Sequence, residues 1–127
     1  MERTVDALKS EIKDGARVVS FSTDKLLGEA IIQQVGQELL ATAEDTAPGE
    51  KVVLNFEGVS FMSSAMLGRL VMFHKKCKQG NVELKVCSIA PDIFEVFKIT
   101  KLNKLFDVCK NEEQALAAFG KKGWFGE

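Results

Sequence analysis

The sequence predicts a single α/β domain, a mixed β-sheet opened by an N-terminal β-hairpin and covered by about four α-helices. Three observations carry this. Asp14-Gly15, a strong two-residue turn signal, separates two strand-like segments. Residues 51–56 form a nearly continuous apolar run, the pattern of a central strand covered on both faces. Beyond the hairpin, strand-like runs alternate with stretches of helical period, which implies βα connections and parallel pairing.

The first strand is expected within residues 5–12 and the second at Arg17-Val18-Val19-Ser20-Phe21. From Leu27 the period becomes helical. Leu27, Ile31, Val35 and Leu39 form one stripe, widened by Ile32, Gly36, Leu40 and Ala43, with Asp24 as the expected cap. Pro48-Gly49 marks the connection to the central strand. A helix is predicted from Ser64 to about Lys78, where Lys75, Lys76 and Lys78 suit the negative end of the dipole and Gly80-Asn81 stops it. Val82, Leu84 and Val86 alternate with Glu83 and Lys85, giving a strand. Pro91 suits the first turn of a short helix that packs through Ile93, Phe94, Val96 and Phe97. Residues 104–108 read as a last edge strand. Asn111 then caps a final helix, with Glu112 and Glu113 in its first turn, Gln114 at the capping-box position, and Gly120 as its stop. Residues 1–120 are thus expected to form one domain, and residues 121–127 a flexible tail.

Composition narrows the function. The chain has 127 residues, 46% apolar and 28% charged, with 17 basic against 18 acidic side chains and a net charge of -1. That balance exerts no global pull toward nucleic acid or anionic membrane. No run of 18 apolar residues offers a membrane span, and Met1-Glu2-Arg3-Thr4-Val5-Asp6 lacks the apolar core of a signal peptide, so a cytoplasmic protein is expected. Cys77, Cys87 and Cys109 are far apart with no Cys-x-x-Cys pair, and read as reduced thiols in or near the core. No glycine-rich phosphate loop, metal motif or basic-aromatic patch occurs, so no cofactor and no metal are expected. His74 is the only histidine. Without a paired nucleophile, and with Cys77 alone beside it, it reads as an ordinary helix residue. Glu112-Glu113 reads as helix-start charge rather than a catalytic dyad. The protein is not expected to be an enzyme.

The informative stretch is Val52-Val53-Leu54-Asn55-Phe56-Glu57-Gly58-Val59-Ser60-Phe61-Met62-Ser63-Ser64-Ala65-Met66-Leu67-Gly68. An apolar strand leads through a turn to two serines at the mouth of a helix. There, free N–H groups and the dipole favour an added anion such as a phosphoryl group. Either serine could equally serve as a plain helix cap. Phe61, Met62 and Met66 flank the serines as an apolar docking spot, and Arg69 is a charged contact. Met62 and Leu67 are read as core, Met66 and Arg69 as exposed.

This pattern resembles the STAS domain, the fold of bacterial anti-sigma factor antagonists. Its mark is an apolar strand, a short loop, Asp-Ser-Ser/Ala-Gly, and a helix beginning Leu-Gly or similar. Phe61-Met62-Ser63-Ser64-Ala65-Met66-Leu67-Gly68 occupies that place, with Ser63 in place of the family aspartate and Met66 in place of glycine. Phe94-Glu95-Val96-Phe97-Lys98-Ile99-Thr100-Lys101-Leu102-Asn103-Lys104-Leu105-Phe106 resembles a second family segment, with Lys101 replacing its common glycine. The resemblance implies a STAS-like fold over about residues 4–119. It also implies a function: binding an anti-sigma factor, itself an ATP-dependent serine kinase, so as to release a sigma factor. On this alignment Ser64 is the phosphorylated residue, with Ser63 as second choice, and Phe61, Met62, Ser63, Ser64, Met66 and Arg69 bind the partner. Neither nucleic acid binding nor membrane insertion is implied. The alternative is a STAS scaffold that is never phosphorylated, a subunit of a larger signalling or membrane-transport assembly.

Overall fold

A computed structural model describes the backbone of residues 6–125 and the side chains of residues 6–119. β1 (Leu8–Lys13) and β2 (Ala16–Phe21) pair antiparallel from Lys13↔Ala16 out to Leu8↔Phe21. Asp14 and Gly15 between them have φ values of 50° and 80°, the double positive φ that a tight hairpin turn requires and that this dipeptide tolerates. There follow β3 (Lys25–Leu26), α1 (Glu29–Asp45), β4 (Lys51–Asn55), β5 (Phe61–Met62), α2 (Ser64–Gln79) and β6 (Glu83–Cys87). α3 (Pro91–Ile99), α4 (Leu102–Leu105), β7 (Val108–Cys109) and α5 (Glu112–Phe125) complete the chain. The main sheet has the order β1-β2-β4-β6-β7, antiparallel only at the hairpin. β3 and β5 form a separate parallel pair. The predicted mixed α/β sheet with its leading hairpin is present, with five helices among the described residues.

Alternation along β4 divides the core into two layers. Val52 and Leu54 face one side, where they pack with Val35 and Leu39 of α1, Leu70 and Phe73 of α2, and Phe97 of α3. Val53 faces the other, among Ala16, Val18, Cys87, Cys109, Ala115 and Phe119, under α5. Burial on both faces explains why β4 reads as an unbroken apolar run. All three cysteines are buried free thiols. Burial pushes Cys77 up to about 11, and it is also the leading cause that holds Cys87 at about 11.

Several sequence expectations change. α1 starts at Glu29 after Gly28, whose φ of 90° suits glycine, so Leu27 lies outside the helix and Asp24 does not cap it. The two-residue strands β3 and β5 lie where loop was expected. Residues 104–108 are not a strand throughout, since Leu102–Leu105 is helical and only Val108–Cys109 pairs. The buried residues there, Leu102 and Phe106, are four apart, a helical rather than an alternating spacing. Lys101 takes the left-handed conformation (φ 65°) that joins α3 to α4, the role common to the glycine it replaces. α5 runs through Gly120 to Phe125, so Gly120 does not stop it and the expected tail overlaps the helix. Val5, placed in the first strand, and residues 126–127 of the expected tail lie outside the described residues. The expected start of α5 is present: Asn111 Oδ1 accepts the Gln114 N–H at 2.8 Å, and Gln114 Oε1 accepts the Lys110 N–H at 2.7 Å.

Lys85 is a buried cation. On a sheet with one wet face it would point to water; here α5 covers that face, and the residue is 4% exposed. Its ammonium pairs with Asp107, which is half exposed, and lies 5.0 Å from the centre of the Phe119 ring. Removing one partner of a buried pair costs more than replacing the buried charge with an apolar side chain. Asp107→Ala is therefore expected to cost about 1–3 kcal/mol, moderated because water reaches that side of the pair. Lys85→Met is expected to be neutral, or stabilising by about 1 kcal/mol. Urea denaturation of the two variants checks the ordering.

Candidate functional site

The segment between β4 and α2 is held by its backbone. The Phe56 N–H donates to the Cys87 carbonyl at 2.9 Å, and the Val59 N–H returns to the Phe56 carbonyl at 3.0 Å around Gly58, whose φ is 89°. The chain then runs beside β3. The Ser60 and Phe61 N–H groups donate to the Asp24 carbonyl at 2.7 and 3.3 Å, and the Ser63 N–H donates to the Leu26 carbonyl at 3.0 Å. The Lys25↔Phe61 and Leu26↔Met62 register thus fixes the two serines against an element some 35 residues earlier in the chain. Asp24, expected to act through its carboxylate, contributes its peptide carbonyl.

Ser63 occupies the N-cap of α2 in extended conformation (φ -79°, ψ 163°), and its carbonyl accepts the Met66 and Leu67 N–H groups. Its hydroxyl caps nothing: the buried Oγ has no hydrogen-bond partner among the described residues. Ser64 is the first residue of the helix and is exposed. No acidic side chain stands in that first turn, so α2 supplies no counter-charge of its own to the positive end of its dipole. Neither serine side chain makes a capping hydrogen bond among the described residues, although Ser63 holds the N-cap position.

The expected contact residues divide. Phe61 is 47% exposed, Met62 is half-buried and Arg69 is half-buried. Met66, expected at the surface, is 0% exposed. It heads the stripe Met66, Leu70, Phe73 and Cys77, spaced four, three and four, and that phase points it into the core. Met66 is therefore a support beneath the serine loop rather than a surface contact. Leu67 is buried as expected. The sequence reading overlooked Ala65 and Gly68, both exposed beside Ser64. Both are small, and Ala65 adjoins Ser64 directly in the chain. A groove of about 400 Å³ continues from this point, lined by Gly28, Glu29, Ile32, Gln33, Ala65 and Arg69.

The other titratable groups lie elsewhere. His74 is half-buried, with its ring edge-on to Phe106 at 5.2 Å. Burial first, and the charge of Lys78 second, hold it below 6.5, while a backbone hydrogen bond at Leu105 opposes them. The Cys77 thiol, pushed up to about 11, is a poor nucleophile beside it. No group of three or more metal-ligating side chains gathers among the described residues. No helix there is long and apolar enough to cross a membrane.

Glu112 ties three elements together below the loop. Its carboxylate accepts from Lys13 Nζ at 2.8 Å and from Asn55 Nδ2 at 2.9 Å, while Asn55 Oδ1 accepts the Glu57 N–H at 2.9 Å. The Lys13 hydrogen bond is the main cause that holds the Glu112 carboxyl below 4.5; burial opposes it and the Asn55 amide adds to it. A carboxyl with a lowered folded-state pKa stabilises the fold above its unfolded value and loses that contribution as pH falls through the folded value. Glu112→Gln is therefore expected to flatten the acid-side loss of stability below about pH 4.5. Chemical denaturation at a series of pH values measures the slope.

Comparison with known proteins agrees with this architecture. The STAS domain family matches residues 5–115. BtrV of Bordetella bronchiseptica, named for an anti-sigma factor antagonist, is 33% identical over 95 residues, 74% of this chain and 79% of that protein. An anti-sigma-factor antagonist (STAS) domain protein from Planctomyces limnophilus superposes with a TM-score of 0.79 at 24% identity, over 91% of this chain and 98% of that one. The anti-sigma factor antagonist SpoIIAA in its unphosphorylated form gives 0.69 at 18% identity, over 90% and 97%. The phosphorylated form of this Bacillus protein gives 0.60 at 18%, over 89% and 99%. The structural likenesses establish a shared fold, and the family match together with the BtrV relationship places the sequence. The chain belongs to the STAS domain family, among its anti-sigma factor antagonists.

Proposed function

We propose that this protein binds an anti-sigma factor through the loop and helix start around Phe61, Met62, Ser64, Ala65 and Arg69, so releasing a sigma factor, and that phosphorylation of Ser64 switches the binding off. The partner in this reading is itself an ATP-dependent serine kinase. The protein is its ligand and substrate rather than a catalyst, and the exchange takes place in the cytoplasm. The observation that carries the reading is the setting of Ser64: an exposed hydroxyl at the mouth of α2, with no acid in the first turn and with exposed Phe61 close by in the chain. A phosphoryl group there adds roughly -1.5 to -2 charges beside a positive helix end, so the fold tolerates it. A partner packed over Phe61 and Ala65 would not. SpoIIAA, described in both phosphorylated and unphosphorylated forms, supports such a two-state surface on this fold.

Ser63 stands where the family motif has an acidic residue, and its hydroxyl lies buried without a partner. It is poorly placed to accept a phosphoryl group without local rearrangement, which favours Ser64 of the two. The test is incubation with the anti-sigma kinases of the same organism and ATP, followed by mass spectrometry. Phosphate on Ser64 is the expected result. Phosphate on Ser63 moves the acceptor, and no phosphate on either serine with binding intact favours the non-switching scaffold.

A further inference from the structure

Between α1 and α2, about one to three helical turns beyond the serine loop, lies an apolar cleft lined by Gly36, Leu39, Leu40, Arg69, Met72, Phe73 and Lys76. Its floor is core, since Leu39 and Phe73 are buried. Its walls are not: Met72 is 62% exposed and Leu40 is 42% exposed. Gly36 opens the cleft at one end, because a Cβ there would lie 2.9 Å from Arg69 Cδ, so the arginine stem lies across α1 at this point. Arg69 and Lys76 flank the cleft from positions two turns apart on α2, and neither makes an ion pair among the described residues.

Size decides what can enter. Drug-sized ligands and cofactors occupy roughly 300–1,000 Å³. The cleft holds about 130 Å³, close to the ~150 Å³ apolar cavity that takes a benzene-sized group. It fits one aromatic or branched aliphatic side chain, the kind of anchor that dominates protein interfaces. Met72, unbranched and polarisable, can mould itself to such a group. The two unpaired cations at the rim select a carboxylate near the anchor and disfavour a basic flank.

We propose that the α1–α2 cleft is an anchor pocket for a protein partner, taking one bulky apolar side chain from a segment that carries Asp or Glu within a helical turn of it. The pocket extends the surface assigned to the partner above, since Arg69 lines both this cleft and the groove beside Ala65. It rests on that reading only for the partner's identity.

The probe is a library of 12-residue peptides displayed on phage and selected on the immobilised full chain. The leading peptide is then synthesised and titrated by fluorescence polarisation. The expected selection is a bulky apolar residue with Asp or Glu three or four positions away. Met72→Glu, an exposed helix position, should keep the wild-type melting temperature and weaken the peptide at least ~10-fold. Lys76→Glu should weaken it in the same direction. Lys9→Glu, at an exposed position on β1, should leave it unchanged, and because the titration involves no kinase and no phosphate, a failure of the phosphoserine reading and a failure of this one are told apart. Peptides without the acidic-apolar pattern, peptides indifferent to Met72→Glu, or no enrichment at all would overturn the proposal. So would a dimer in light scattering that Met72→Glu dissolves, because the occupant would then be a second copy of the chain.

Discussion

Ser64→Asp is expected to weaken binding of the anti-sigma partner at least ~10-fold, and stoichiometric phosphorylation to weaken it further. Tenfold corresponds to about 1.4 kcal/mol, a modest demand on a charge placed inside an interface of small hydroxyls and apolar groups. Aspartate carries less charge and bulk than a phosphoryl group, so its effect is a lower bound. Ser64→Ala should bind within about threefold of wild type and resist modification, because the hydroxyl makes no side-chain cap whose loss would disturb α2. Isothermal titration with purified kinase measures all three states. Equal affinity for Ser64→Asp and Ser64→Ala would leave Ser64 outside the interface.

Phe56→Ala is expected to lower stability by about 3–5 kcal/mol. Phe56 is 1% exposed and packs between Phe21 at 4.9 Å and Phe97 at 6.5 Å, joining β2, the end of β4 and α3. Against a typical total of about 5–15 kcal/mol, that loss is large enough to leave part of the protein unfolded at 37 °C. Its carbonyl also accepts the Val59 N–H that turns the chain into the serine loop, so the site should loosen with the core. Phe61→Ala supplies the contrast. That ring is half exposed, so stability should stay within about 0.5 kcal/mol while partner affinity falls. Thermal melts beside binding titrations separate the two phenylalanines. A loss of stability for Phe61→Ala as large as for Phe56→Ala would contradict the placement of both.

What the sequence disclosed follows from where side-chain pattern and backbone demand coincide. Asp14-Gly15, the apolar run of β4, the start of α2 at Ser64 and Pro91 at the head of α3 each satisfy a local rule that survives folding unchanged. β3 and β5 were illegible because each is only two residues long and exists through backbone pairing with a distant partner. The burial of Lys85 was not legible, because alternation shows which face a side chain takes, not that α5 will cover that face. The serine pair was legible as a helix mouth, whereas Met66 was not placed correctly. Near a helix start, a shift of one residue turns a side chain through about 100°, and only the stripe through Leu70, Phe73 and Cys77 fixes the phase.

The pairing of β3 with β5 also bears on how this surface can change over generations. The segment is gripped through peptide groups, by the carbonyls of Asp24 and Leu26, and peptide groups are common to every residue except proline as a donor. The outward side chains at Ser60, Phe61, Ser64 and Ala65 contribute little to that grip, though Ser60 Oγ adds a long contact to Asp24 at 3.3 Å. Substitutions there leave these backbone hydrogen bonds in place, at small cost to folding. Proline at 60, 61 or 63 is the exception, since it removes a donor that holds the strap in place. Such a division separates the frame, set by peptide groups, from the side chains it displays, so the displayed residues are free to vary while the frame is kept.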